Sequence, residues 1–182
     1  MPDTYTCGLN YQIPAKGHRR HIFVDLDETL IHYSELADEV YTGPYVTYGL
    51  QGRLMFLRPE AHRLLQICRQ WADKVVMCTY AADVYACLAN EAFDLGFGKD
   101  EMITVELLST AKDALGPEGL LIDNLPVNDE NTVIKMHVLG IEAGSLIQVP
   151  EFVHPEFVEL ASFLDELPAL LDEALIAGEG QG

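Results

Sequence analysis

Two carboxylates separated by a single leucine, Asp25 and Asp27, stand directly behind the apolar run His21-Ile22-Phe23-Val24. Residues two apart at a strand's end project to the same side, so both carboxyl groups can face one site. Like charges that close repel unless a cation or a shared proton lies between them. The pair therefore asks for a metal ion, and a hard oxygen-seeking ion such as Mg²⁺ suits it. The alternative for Asp-Leu-Asp-Glu-Thr is a solvated turn or a helix N-cap, where Asp and Thr are also favoured. Two further apolar runs end in small polar residues: Lys74-Val75-Val76-Met77-Cys78 at Thr79, and Gly119-Leu120-Leu121-Ile122 at Asp123-Asn124. If the three runs are neighbouring strands, one pocket collects three carboxylates, one carboxamide and one hydroxyl.

The elements around these runs must supply that neighbourhood. Continuous hydrophobicity without alternation suits strands buried on both faces of a parallel sheet. Helical patterns lie between them: Ala61 to Trp71 opened by Arg58-Pro59-Glu60, Ala82 to Phe93, and Ser109 to Leu115 ended by Gly116-Pro117. Tyr45 to Leu50 and Arg53 to Leu57 flank Gln51-Gly52 as a hairpin. Ile103 to Leu108 reads as a short strand or turn, Thr132 to Ile141 and Ser145 to Val149 as further strands. Pro155 to Ile176 reads as an amphipathic helix interrupted at Pro168. Alternating strands and helices predict an open, mostly parallel α/β sheet with helices on both faces. Ligands in such sheets bind beyond the carboxyl ends of the strands.

The expected organisation is an irregular lead-in over 1–18, one domain over 19–177 with the hairpin inserted at about 44–57, and a mobile tail over 178–182. A chain of 182 residues fits one sizeable core. Its 29 acidic against 11 basic residues give a formal charge of -18, which repels nucleic acid and anionic membranes. The same field repels an anionic substrate at long range, so a phosphate site needs local cations or a metal. Cys7, Cys68, Cys78 and Cys87 form no C-x-x-C pair, which suggests neither zinc nor a disulfide framework, and His32, His62, His137 and His154 share no ligand spacing. No apolar run approaches membrane-spanning length and no signal-peptide layout opens the chain, so a soluble, intracellular protein, cytoplasmic or nuclear, is expected.

The string DLDETLIH, a strand followed by Asp-x-Asp-x-Thr and an apolar pair, resembles the first motif of the haloacid dehalogenase (HAD) superfamily of phosphotransferases. It is similar to the branch of the RNA polymerase II C-terminal-domain phosphatases and the small C-terminal-domain phosphatases. VVMCTYAADVYA resembles the second motif, with Tyr85-Ala86 matching as well, and Asp123-Asn124-Leu125-Pro126 the fourth. The resemblance implies a Rossmann-like HAD-type fold with a small β-hairpin insertion and no large cap domain. It implies Asp25 as nucleophile, Asp27 as general acid/base, Thr79 as the second-motif hydroxyl, and Mg²⁺ held among Asp25, Asp27, Asp123 and Asn124. Relatives carry a lysine upstream of the fourth motif, where this chain has Glu106 in the gap-free alignment. Lys112 is the substitute expected here, with Lys99 second.

A small insertion leaves the site open, which favours a phosphorylated protein or peptide as substrate. A small-molecule phosphatase for nucleotides or sugar phosphates is the alternative within the class. Outside it stands a protein-binding module on the same fold, which the intact first motif opposes and the missing family lysine favours.

Overall fold

The run that opens the motif, His21–Val24, forms β1, buried along its whole length, as a strand without alternation requires. Parallel partners flank it on both sides: β5 (Lys74–Cys78) pairs Ile22 with Val75, and β7 (Gly119–Asp123) pairs Ile22 with Leu120. These labels come from a computed structural model that describes residues 21–34, 43–48, 53–111, 119–152 and 160–179. With β6 (Met102–Ile103) and β8 (Leu146–Gln148) the five strands run in the order β6-β5-β1-β7-β8, every pair parallel. Gly119 is required at the start of β7, because a Cβ there would lie 2.6 Å from the His21 carbonyl oxygen and 2.9 Å from the Phe23 ring.

Successive side chains of β1 serve two cores, which is why the strand carries no polar alternation. Ile22 and Val24 pack with α1 (Ala61–Trp71), α2 (Asp83–Ala92) and α5 (Leu160–Glu179) on one face of the sheet. Phe23 packs with α3 (Val105–Leu108) and α4 (Glu130–Leu139) on the other. Pro168 lies inside α5 without interrupting it. The proline costs the helix roughly 3 kcal/mol, and burial of Leu164, Leu167 and Leu171 offsets this at about 1.5–3 kcal/mol each.

The insertion is a three-stranded antiparallel sheet: β2 (Ile31–Ser34) and β3 (Tyr45–Tyr48) flank β4 (Arg53–Leu57). The hairpin pairing of β3 with β4 is as expected from the sequence; β2 is an addition to it.

Three other expectations are corrected. Thr132 to Ile141 is not a strand but the helix α4, whose Asp129 cap accepts from the N–H groups of Asn131 and Thr132 and whose Gly140 closes it at φ 69. The helical turn expected at Ser109 comes earlier, as α3, and the remainder of that expectation, 112–115, lies outside the described residues, as does the lead-in over 1–18. Cys68 and Cys78 are free and buried, whereas Cys87 is disulfide-bonded, which the cysteine spacing gave no reason to expect. Among the described residues no helix is long and apolar enough to cross a membrane.

Candidate active site

Because β1 lies between β5 and β7, the residues after these three strands meet at one edge of the sheet. Asp25 continues the register past β1, its N–H donating to the Ile122 carbonyl at 2.9 Å. The chain then turns tightly, with the Leu26 carbonyl accepting from the N–H groups of Leu30 and Ile31 at 2.8 and 3.1 Å. The turn requires Glu28 at φ 60, a left-handed backbone that costs a non-glycine residue of order 1–3 kcal/mol. Several contacts hold it there. The Phe152 N–H donates to the Glu28 carbonyl at 2.8 Å. Arg58, wholly buried, donates from Nη1 to the Glu28 and Thr29 carbonyls at 3.4 and 3.2 Å. His32 Nδ1 meets the Glu28 carboxylate at 2.8 Å.

Asp25 is 4 % exposed, and among the described residues its carboxyl has two partners. Lys135 Nζ reaches Oδ1 at 2.5 Å, and the Thr29 hydroxyl lies 3.3 Å from Oδ2. Lys135 also donates to Asp123 Oδ2 at 2.7 Å, so one buried ammonium bridges the carboxylates of two neighbouring strand ends. The Thr29 hydroxyl lies 3.2 Å from Asn124 Oδ1 and accepts from the Asn124 N–H at 3.1 Å, tying the fourth-motif residue to the first. Burial pushes the Asp25 carboxyl up to about 7, against the lowering by Lys135 and with a further push from Asp123. Burial also works against the charge on Lys135, but Asp25 and Asp123 outweigh it and hold the ammonium above the ordinary lysine value.

Asp27 turns toward α2. The Tyr85 hydroxyl donates to its Oδ1 at 2.5 Å, and the Thr79 hydroxyl is a second partner. Burial raises the Asp27 carboxyl, with Tyr85 pulling in the opposite direction. The Tyr85 phenol is held well above its usual range by burial and by the Asp27 charge, so Tyr85 is the donor of the pair. Thr79 is fixed in turn by its N–H donating to Ile103 O at 2.9 Å and by its hydroxyl accepting from the Ala81 N–H at 3.0 Å.

The structure thus brings together Asp25, Asp27, Thr79, Asp123 and Asn124. At the cation it adds a residue that the sequence reading did not name. Lys99 is exposed in the turn before β6, at the amino ends of the strands and opposite the site. Lys112 lies outside the described residues. Among the described residues the cation in contact is Lys135, which follows the fourth motif instead of preceding it. It was hidden because 132–141 reads as a strand, in which Lys135 points to solvent with Val133 and His137. On a helix, Thr132, Lys135, Met136 and Leu139 share the buried face. Asp129 and Gly140, bracketing ten residues, were the signal for that helix.

Asn124 Oδ1 and Asp25 Oδ2 lie within 3.2 and 3.3 Å of one Thr29 hydroxyl, an all-oxygen arrangement that fits a hard divalent ion joined by main-chain carbonyls and water. Asp123, expected among the ligands, engages Lys135 with one oxygen and accepts from the Leu125 N–H at 2.9 Å with the other. Among the described residues no three His, Cys, Asp or Glu gather within reach of one ion. Any such ion therefore needs Asn124 and the backbone beside the Asp25 carboxylate.

Residues 20–104 match the family model described as NLI interacting factor-like phosphatase. The match covers a little under half of the chain. The matched segment carries Asp25, Asp27, Thr79 and Tyr85; Asp123, Asn124 and Lys135 lie beyond it. Among solved structures the chain is similar to Fcp1, an essential RNA polymerase II CTD phosphatase, at 16% identity and a TM-score of 0.46, over 88% of this chain and 52% of that one. It is also similar to an arginine-to-alanine variant of fission yeast Fcp1 bound to beryllium fluoride, at 16% identity and a TM-score of 0.43, over 88% and 54%. The chain spans about half the length of these structures. No curated protein matches it.

Proposed function

We propose that this protein is a Mg²⁺-dependent phosphomonoester hydrolase that works through an aspartyl-phosphate on Asp25, with phosphorylated protein as its substrate. The observation that supports it most is the junction of Asp25 with Lys135, Thr29 and Asn124, a carboxylate placed beside a buried cation and an amide oxygen suited to a hard ion. A carboxylate placed so has little structural purpose, since a hydrophobic trio would pack there at lower cost.

A phosphate monoester resists attack because its oxygens repel the nucleophile, and its loose transition state leaves the protein mainly to position groups and neutralise charge. In the first step an Asp25 oxygen bonds to phosphorus while the bond from phosphorus to the leaving oxygen breaks. The electron pair stays on the leaving oxygen, which takes a proton from Asp27. In the second step water attacks the phosphorus, gives its proton to Asp27, and Asp25 is released. Burial keeps the Asp27 carboxyl ready to hold that proton. Lys135 and the Thr79 hydroxyl hold phosphoryl oxygens, each well-aimed donor being worth on the order of 100-fold in rate. Mg²⁺, held by the Asp25 carboxylate, the Asp27 main-chain carbonyl and Asn124, would neutralise charge between nucleophile and phosphate.

A protein substrate follows from the insertion, a small three-stranded sheet with an exposed Tyr45 and no large lid among the described residues. The binding-module alternative rested on the absence of a suitable lysine, and the contact of Lys135 with Asp25 speaks for the enzyme.

The test is hydrolysis of p-nitrophenyl phosphate with and without Mg²⁺. Wild-type turnover that needs the ion and disappears in Asp25→Asn is the expected result; an inactive wild type refutes the proposal. Phosphopeptides are then compared with nucleotides and sugar phosphates, and equal or faster turnover of the small compounds overturns the protein substrate.

A further inference from the structure

The hydrogen bond between Tyr85 and Asp27 is continued outward by the insertion sheet. The Tyr85 side chain is nearly buried, and two tyrosines of that sheet hold its ring edge-on. Tyr33 of β2 lies 5.6 Å from it between centroids at 75°, and Tyr48 of β3 lies 5.2 Å away at 88°. Tyr33 and Tyr48 also meet each other edge-on at 6.4 Å. Arg53 of β4 donates from Nη1 to the Tyr33 hydroxyl at 2.9 Å and lies 5.7 Å from its ring centroid. Edge-on pairs are the favoured geometry of aromatic rings, so the three tyrosines fix one another's orientation. Two strands of the insertion therefore contact the ring of Tyr85, and the third reaches it through Tyr33.

A carboxyl group that hands a proton to a departing oxygen must present one of its own oxygens in a fixed direction. A small rotation is enough to spoil the transfer, because misplacement by about 1 Å can cost on the order of 100-fold. We propose that Tyr85 is a positioning residue for Asp27, held in register by Tyr33 and Tyr48, so that the insertion sheet governs how well the site expels poor leaving groups. The inference rests on the phosphatase reading above and deepens it. In this account the insertion is part of the proton-transfer apparatus as well as a surface beside the site.

The test uses two esters of nearly the same size, p-nitrophenyl phosphate and phenyl phosphate. Nitrophenolate departs with little need of a proton, whereas phenolate needs one. The quantity read is kcat/KM, which covers the steps up to leaving-group departure and excludes the later attack of water that both esters share. Tyr85→Phe should lower kcat/KM on phenyl phosphate by about 10- to 100-fold and on p-nitrophenyl phosphate by less than about 3-fold. Tyr48→Ala should shift the two rates in the same unequal way, to a smaller extent. Equal losses on both esters would make Tyr85 a support of the fold alone, and unchanged rates would make the contact idle; either overturns the proposal. Should Tyr85→Phe lose its cooperative melting, Tyr48→Ala and Tyr33→Phe carry the same comparison. A wild type that hydrolyses neither ester refutes the phosphatase reading itself, and that is seen before any substitution is made.

Discussion

Replacing Lys135 by Met removes the charge while keeping a long apolar stem, and it leaves Asp25 and Asp123 facing each other in the interior. The ammonium is 2 % exposed and lies 2.5 and 2.7 Å from the two carboxylates. Breaking a buried pair by deleting one partner costs about 3–5 kcal/mol, and in a protein of this size each kcal/mol shifts Tm by roughly 2–4 °C. A fall of roughly 6–20 °C is therefore expected. Its pH dependence follows from Asp25, whose carboxyl is already raised to about 7 with the lysine present. An acid whose folded value is raised binds more protons folded than unfolded, so its contribution to stability declines as pH rises from the unfolded value, near 4, to the folded one. In the wild type that decline ends near 7. In Lys135→Met the folded value is higher still, so the decline continues and the gap between the two proteins widens above neutrality. Thermal melts followed by circular dichroism at pH 6 and pH 8.5 measure this. The double variant with Asp123→Asn should recover much of the lost Tm, since it removes the facing charge. A single variant melting within 2 °C of wild type at both pH values would refute the reasoning, as would a gap that narrows with rising pH.

Other substitutions probe the frame around the site. Gly119→Ala forces a methyl against the His21 carbonyl at the start of the β1–β7 pairing, and should cost about 1–3 kcal/mol in chemical denaturation. Asp129→Ala removes the cap of α4 and should cost about 1 kcal/mol, read in the same way. Arg58→Ala should destabilise by more than Arg58→Met, because Met keeps the volume beside Phe152 and removes Nε and Nη2, which are buried without a hydrogen-bond partner among the described residues. Cys68 and Cys78, whose thiols burial pushes up to about 12, should resist thiol-specific labelling at pH 8 in the folded protein and react in denaturant.

The strands that carry the acidic residues were legible because strands buried on both faces have a signature that does not depend on partners: a short apolar run closed by a polar residue. His21–Val24, Lys74–Cys78 and Gly119–Asp123 all have it. Their adjacency was inferable from the alternation of helices and strands. The cation was not, because a lysine declares its role only through the surface it faces, and that depends on the period assigned to 132–141. The alternation of Thr132, Ile134, Met136 and Val138 imitates a strand, whereas the capping residues Asp129 and Gly140 describe the helix. Tyr85 was visible as part of a motif, but its contact with Asp27 joins residues 58 apart in the chain and belongs to tertiary packing. The continuity of α5 through Pro168 is of the same kind, since the leucines that hold it gain their value only against the core.

The strained turn at Glu28 is braced by the Phe152 amide, and Asp25 is neutralised by a lysine from α4. The region recognised by the family model, 20–104, is thus not a self-sufficient module. A fragment cut after β6 would retain three of the motif side chains and lose both the brace and the counter-charge, leaving a carboxylate pair with no reason to stay folded in place. Any minimal version of this protein must extend past residue 152, and a graft of the first motif into another scaffold has to bring the distant amide and ammonium with it.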